Sequence, residues 1–423
     1  MSTALQAGVA NRFRSLRHKN FRLFWGGQLV SLIGTWMQSV SQGWLMHRLT
    51  DSPLMLGLLG FSQFVPVTAL SLWAGEIVDR IDKRRLILIT QTLAMLQAFA
   101  LAILAATHVI QPGMLLILAS VFGAISAFDL PARQSFLVEM VGKEDLSNAI
   151  ALNSAAFNAA RVVGPAFAGV LLAVAGETTC FFVNALSYVV VIVMLLRMEV
   201  VSRPRADALA RRPLIEGVQY ALDVASIRNL LLLLGVTCGL GFQYMTLLPV
   251  FARQILHAGP RAYGLMVASF GLGSLLSALW LTRHQDRWTL RRNLLVGLSV
   301  AGVGMGVFAW SRWLPLTLLM GFAAGYGLIL YVASTNMLLQ LTTDDRFRGR
   351  VMSLYTFMFI GTAPLGALLA GGIAQRWGAP WANTLCATIL LGGAIWVSYR
   401  LKVLAAREAA ERLSSMVNTE KVG

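Results

Sequence analysis

Arg161 stands inside an otherwise uncharged apolar run, 149–175. It lies twelve residues past Ala149, about 18 Å along a helix at 1.5 Å per residue. A guanidinium at that depth in lipid costs at least a few kcal/mol, so it must face water or a partner. Two chemistries fit it: a cation that holds an anionic group of a small organic molecule, or a structural cation that pairs or caps carbonyls. The nearest acid, Asp129, lies about 17 residues into the preceding apolar run, near its end, and is the candidate for exchanging a proton with an aqueous path. Gln28, Ser31, Thr35 and Gln38 recur at helical spacing in another run and share one face. Polar side chains are costly against lipid, so this face either lines a wet cavity or makes hydrogen bonds between helices. Asn158, Gln243, Tyr244, Asn336 and Tyr355 are further cavity candidates on the same two readings.

Other chemistry is missing. Cys180, Cys238 and Cys386 are far apart, form no CxxC pair and have no metal-ligand spacing. No phosphate-binding G-x-x-x-x-G-K-[ST] loop or G-x-S-x-G elbow occurs. The expectation is a protein that is not an enzyme and needs no metal and no cofactor.

The elements that position these residues follow from composition. Of 423 residues, 57% are hydrophobic and 13% charged, against about 45–50% and about 25% in soluble domains. A water-soluble fold could not hide that much apolar surface. The basic Met1–Arg22 segment carries no apolar run of the kind found in a cleavable signal. Stretches long enough to cross a ~30 Å hydrocarbon core run over 23–46, 54–75, 86–107, 109–128, 149–175, 178–196, 229–252, 262–282, 293–311, 315–340, 351–375 and 378–399. The expected fold class is an all-α integral membrane protein of twelve transmembrane helices.

The net charge of +16 is topological. Between the spans, 29 Lys and Arg fall on one side and 5 on the other, which places both termini in the cytoplasm. The basic residues form no separate basic domain, so no nucleic acid is expected as a partner. A polar, basic segment at 198–228 contains Pro204 and Pro213. It divides the chain into an N-terminal bundle of six helices (1–197), a cytoplasmic linker (198–228), a C-terminal bundle of six (229–401) and a cytoplasmic tail (402–423). Leu214 to Val224 reads as an amphipathic helix on the membrane surface.

The two bundles repeat. Gly57–Arg85 laid over Gly264–Arg292, an offset of 207, aligns Gly57/Gly264, Trp73/Trp280, Asp79/Asp286, Arg80/Arg287 and Arg84/Arg291. A second block at offset 199 aligns Asp145/Asp344, Ser154/Ser353 and Pro165/Pro364. Parallel repeats about an axis along the membrane normal are a transporter architecture with its binding site between the halves.

The loop Gly75-Glu76-Ile77-Val78-Asp79-Arg80-Ile81-Asp82-Lys83-Arg84-Arg85 resembles the cytoplasmic signature G-x-L-A-D-R-x-G-R-K of the major facilitator superfamily, with Asp82 in place of a glycine. Gly164-Pro165-x-x-x-Gly169 resembles the exporter-associated G-x-x-x-G-P-x-x-G-G pattern, with alanines at 160 and 168. Phe128–Gln134, Glu144–Ala149, Asn153–Asn158, Arg348–Ser353 and Ala363–Gly366 are similar to the branch of enterobactin exporters and drug-efflux proteins. The resemblance implies a monomer in the bacterial inner membrane with the lipid bilayer around it. It implies export of a siderophore-like or drug-like small-molecule substrate by alternating access, against protons. A proton-independent facilitator or lipid-type flippase remains open, and so, from another class, does an integral-membrane enzyme or receptor. The family reading makes Asp79 a latch between the halves, joined by Gly75, Arg80, Arg84 and Arg133 and, in the second copy, by Asp286 and Arg287; a solvated surface charge is the other reading of Asp79. Gly164, Pro165, Gly169 and Pro364 serve gating or simple close packing.

Overall fold

A computed structural model describes residues 14–142, 144–199, 214–284, 286–344 and 346–420, with the side chains of Leu72, Glu76, Asp79, Leu214, Ile215 and 402–420 left outside that description. The described residues are helical almost throughout. The N-terminal half holds α1 (Lys19–Thr50), α2 (Pro53–Arg80), α3 (Lys83–Ala106) and α4 (Pro112–Val141). Next comes a 51-residue helical stretch, Leu146–Leu196. Straight, it would be about 76 Å long, more than twice the hydrocarbon core. It is not straight: Gly176 has φ 75° and ψ −179°, outside the helical region. Positive φ suits a residue without Cβ. Segments on either side of Gly176 pack on the same turns of α1. Gly164 lies against Ile33 and Trp36, while Gly34 lies against Asn184 and Ser187. The stretch is therefore a hairpin of α5 (146–175) and α6 (177–196).

The C-terminal half holds α7 (Ala225–Ile255), α8 (Pro260–Leu281), α9 (Arg287–Trp310), α10 (Leu314–Thr342), α11 (Arg348–Trp377) and α12 (Ala379–Glu420). Among the described residues, ten helical stretches are long and apolar enough to cross a membrane. Splitting one at Gly176 gives eleven. The twelfth is α1, whose 32 residues suffice in length but whose glutamines and serines dilute its apolarity.

Helix starts follow local chemistry. Pro53, Pro112 and Pro260 open α2, α4 and α8, where a missing N–H costs nothing. Asp82 caps α3 by accepting from the Arg85 N–H at 2.7 Å. Asp286 caps α9 by accepting from the Thr289 N–H at 2.9 Å. One expectation changes here. Helix α4 continues to Val141, well past the apolar run that ends at 128. Asp129 therefore lies twelve residues, about 18 Å, before the helix ends.

The loops α2–α3, α4–α5, α8–α9 and α10–α11 lie at one end of the bundle, here the basic face. The loops α1–α2, α3–α4, α5–α6 and α7–α8 lie at the far face. The halves meet along two seams near the far face. Between α2 and α11, a Cβ built on Gly57 would sit 2.6 Å from the Ala367 carbonyl oxygen and 3.0 Å from Gly371 Cα. Between α5 and α8, a Cβ on Gly169 would sit 2.9 Å from Gly264 Cα. Backbones approach this closely only where side chains are absent. Trp44 stacks on Tyr263 across the halves, and Ser52 Oγ donates to Gln375 Oε1 at 2.8 Å. These contacts reach from the far face down to mid-depth, where Gly271 of α8 packs on the Arg161 carbonyl.

Candidate functional site

Arg161 projects from α5 at the depth where the seam ends. Its Nη2 donates to the Tyr244 hydroxyl on α7 at 3.4 Å. Its guanidinium carbon lies 5.9 Å from the centre of the Trp36 ring on α1. Tyr244 is buried and stacks on Phe270 of α8, with ring centres 4.1 Å apart. Three helices from both halves thus surround one partly exposed cation. No carboxylate among the described residues forms a salt bridge with it. Cation–π and hydroxyl contacts steady a guanidinium without neutralising it. On the same face of α5, toward the basic end, Asn158 donates to the Ser154 carbonyl at 2.9 Å, and both side chains are at least partly exposed. Arg161, Asn158, Trp36 and Tyr244 are where the geometry concentrates polar and aromatic groups between the halves. Tyr244 was among the cavity candidates picked out by sequence and Trp36 was not; its signal was an aromatic within reach of Arg161, visible only once helices are paired.

The polar face of α1 goes elsewhere. Gln28, Ser31 and Gln38 are buried within the N-terminal half. Asn184 of α6 donates to Gln38 Oε1 at 2.7 Å, and Gln38 Nε2 donates to Gln97 Oε1 of α3 at 3.1 Å. Gln97 continues to the Leu118 carbonyl of α4 at 3.0 Å. Thr35 shares a hydrogen bond with the Tyr188 hydroxyl. Of the two readings of this stripe, Gln38 and Thr35 take the hydrogen-bonding one, tying α1 to α3 and α6, while Gln28 Oε1 is buried with no partner among the described residues. Interhelical hydrogen bonds satisfy amides that lipid could not.

The C-terminal candidates divide. Gln243 is buried, its Nε2 donating to the Cys238 and Gly239 carbonyls at 3.3 and 3.4 Å. Those carbonyls belong to a π-turn at Thr237–Gly241 in α7, so Gln243 caps a helix irregularity. Asn336 accepts from Gln340 at 2.6 Å. Tyr355 is nearly buried, with its hydroxyl donating to the Val332 carbonyl at 3.5 Å. Neither touches the Arg161 group.

The basic-face residues bind mostly within their own half. The Asp79 side chain lies outside the described residues. Arg133 is buried and pairs with Asp129 at 2.6 Å; Asp129 also accepts from Thr90 at 2.6 Å and Gln91 at 3.0 Å. Arg84 donates to the Leu195 and Leu196 carbonyls, both at 3.0 Å, meeting the negative end of α6. Arg287 does the same for the Leu341 carbonyl at the end of α10. Arg80 is exposed at the end of α2, and a Cβ on Gly75 would meet nothing within 4 Å. Asp286 caps its own α9 rather than reaching α5, and its hydrogen bond to Thr289 lowers its pKa. Its structural counterpart is Asp82, because α8 is shorter than α2 at this end. Gly164 packs on α1, Gly169 on α8, Pro165 offers its carbonyl to Gly264, and Pro364 lies buried just after a π-turn at Phe357–Gly361.

A second cluster was missed. Arg14–Arg17 form a short turn of helix before α1. Ser15 N–H donates to Asn148 Oδ1 at 3.0 Å, and His18 and Arg14 both pair with Asp145. The signal was present in the Glu144–Asn148 stretch, but nothing in one dimension shows that the N-terminal arm folds onto it.

Two parallel six-helix halves, sealed at one end and meeting around a lone cation at mid-depth, define a membrane transporter fold. Over 93% of this chain and 97% of its own, a bacterial homologue of the lysosomal transporter Spinster, solved inward-facing and occupied, superposes with TM-score 0.72 at 14% identity. The chain belongs to the transmembrane secretion effector family of the major facilitator superfamily, which it matches over residues 10–422. It is similar to the staphyloferrin A transporter of Staphylococcus aureus, 26% identical over 383 residues, 87% of this chain and 94% of that protein. It is also similar to the multidrug efflux pump Tap of Mycolicibacterium fortuitum, 26% identical over 362 residues, 83% of this chain and 88% of that protein. The protein is thus a multi-pass membrane transporter of the exporter branch.

Proposed function

We propose that this protein is a secondary active exporter of a mid-sized organic anion, siderophore-like or drug-like, working by alternating access in the bacterial inner membrane. The basic face is cytoplasmic on this reading, following the Lys and Arg bias, and both termini lie there. The N- and C-terminal halves rock about the mid-depth seam. With the far face sealed by Gly57/Gly371 and Gly169/Gly264, the conformation is one that receives cargo from the cytoplasm. Protons flow the other way, with Asp129 exchanging one from the basic side. The names of the Staphylococcus and Mycolicibacterium relatives support export of such molecules.

The observation that carries the reading is Arg161: a cation between the halves, partly exposed, with aromatic neighbours and no carboxylate partner among the described residues. An anionic cargo supplies the missing charge, and Trp36 beside it suits an aromatic or otherwise apolar body. The test is efflux from inverted vesicles carrying Arg161→Ala. A charge-assisted hydrogen bond contributes about 1.5–3 kcal/mol, so anionic cargo efflux falls about 10- to 100-fold, while a neutral cargo stays near wild type. Equal loss for both makes Arg161 structural and removes the anion reading. Export that ignores a collapsed proton gradient moves the protein to the facilitator or flippase class.

A further inference from the structure

His47 is a fully buried titratable group at the far face that the transport reading leaves unused. It sits in the last turn of α1 and is fully buried. Neither ring nitrogen has a hydrogen-bond partner among the described residues. Its carbonyl accepts from the Asp51 N–H at 2.8 Å and from Arg253 Nη1 at 3.5 Å. Arg253 belongs to the other half, at the end of α7, and also pairs with Asp51 at 3.1 Å. So His47 lies under the ion pair that clasps the halves together.

The repeat sharpens the point. Asp51 takes a left-handed φ of 48°, four residues after His47. In the second half, His257 takes the same φ of 48°, four residues after Arg253. His47 and Arg253 are thus counterparts, brought face to face across the seam. One is a permanent cation and the other a titratable one. A single carboxylate, Asp51, lies between them. The other charged groups nearby are accounted for: Arg48, on the same helix, pairs with Glu177 at 2.9 Å. From α8 comes only the Tyr263 phenol, which lies against Gly43 one turn below.

We propose that His47 is a proton-binding site that governs the far-face gate: the gate is closed when the imidazole is neutral and opens when it takes a proton from the far side. The imidazolium would be a second cation competing with Arg253 for Asp51, with neither of its own buried nitrogens reaching an acceptor among the described residues. Burying an unpaired charge is strongly unfavourable, and parting the halves lets water reach it. Proton binding and opening therefore favour one another by the same factor. One proton adds to one ring nitrogen, and no other bond changes. The inference gives a far-face trigger to the exporter proposed above and rests on that reading for its use, but the gate motion is measurable without any cargo.

The experiment places spin labels at Gln111→Cys and Arg312→Cys, exposed far-face positions in opposite halves, in the full chain reconstituted in lipid nanodiscs. The distance between them is followed from pH 8 to pH 5 with no cargo present. The expected result is a longer distance at low pH, with a midpoint below the ordinary imidazole value of about 6.5. His47→Leu stays at the short distance throughout. Its thermal stability at pH 7 equals or exceeds wild type, since it removes two unsatisfied buried nitrogens. Asp51→Asn, which removes the carboxylate of the clasp, shows the long distance already at neutral pH. His257→Gln and His108→Gln, on the same face, keep the wild-type response. A wild-type distance indifferent to pH, or a pH response that survives in both His47→Leu and His47→Gln, overturns the proposal. Either result leaves Arg161-dependent export untouched, whereas loss of export with a working gate strikes only the transport reading.

Discussion

The N- and C-terminal halves descend from one repeat but have kept different things. Each inter-half seam joins unlike members of the repeat. Gly57 of the first copy meets Gly371 of the second, and Gly264, the counterpart of Gly57, meets Gly169. The seams are related by a pseudo-twofold axis, so the surfaces that must meet have stayed alike. Inside the bundles the halves diverge. Helix α1 runs unbroken for 32 residues and is held by a chain of amides. Its counterpart α7 is interrupted by π-turns at Thr237–Gly241 and Phe251–Ile255, and α11 by another at Phe357–Gly361. Irregular turns of this kind often mark functional sites. The contrast assigns stiffness to the first half and compliance to the second, with the seams as shared geometry.

The sharpest way to break that comparison is at the seams. Gly169→Leu and Gly57→Leu each place a side chain where backbone already stands within about 3 Å. Overpacking costs typically 1–3 kcal/mol, which shifts the closed population about 5- to 150-fold. Both variants are expected to reach the membrane and to lose most transport, and the far-face label distance lengthens at every pH. Gly392→Ala, in open space on α12, is the control. If one seam variant is lethal to transport and the other silent, the pseudo-symmetry of the seams is structural only.

A smaller effect tests the stiffness of the first half. Gln38→Leu removes the partner of the Asn184 amide N–H and of Gln97 Oε1 in a buried site. Hydrogen bonds of this sort in membrane bundles contribute about 0.6 kcal/mol on average and up to about 1.7, so unfolding of the purified protein shifts to lower temperature by a corresponding few degrees. Transport per folded molecule is unchanged. A variant that keeps its stability but loses transport would restore the stripe to the cavity wall.

That stripe shows what one dimension holds and what it does not. Helical period told which of Gln28, Ser31, Thr35 and Gln38 share a face, but not toward which neighbour the face turns. The twelve spans were legible because lipid thickness sets a minimum apolar length, and even the α5–α6 hairpin fell at its glycine. The fourth span was ended at 128 because apolar counting stops at the first charge, whereas α4 continues as helix to Val141. Asp286 was paired with Asp79 because a constant offset ignores the shorter α8; capping chemistry pairs it with Asp82 instead. Gly57 and Gly264 stood out in the repeat, yet their partners Gly371 and Gly169 needed the packed halves. Arg161 and Tyr244 were found, and Trp36 was not, because a cation or a polar hydroxyl in an apolar run is conspicuous and an indole there is ordinary.

The last contrast lies at the basic face, where each half is preceded by a segment that grips its own fourth-to-fifth-helix loop. In the first half the grip is ionic: Arg14 and His18 on Asp145. In the second, the helix Leu214–Asp223 uses Tyr220, stacked on Phe347 with ring centres 4.2 Å apart, a Tyr220 hydroxyl that accepts from the Asp344 N–H at 3.3 Å, and Glu216 paired with Arg350 at 2.9 Å. The two grips differ in their sensitivity to acid. The hydrogen bond from His18, then the charge of Arg14, hold the Asp145 carboxyl below its ordinary value. A depressed carboxylate contributes stability above its unfolded pKa of about 3.9, and that contribution disappears as pH falls through the lower folded value. Asp145→Asn is therefore expected to melt slightly below wild type at pH 7, and the gap to narrow steadily below about pH 4. Tyr220→Ala, which removes an aromatic stack, keeps the same gap across that range. If the Asp145→Asn gap is instead flat with pH, the first grip is held by the Ser15–Asn148 hydrogen bond rather than by its ion pairs.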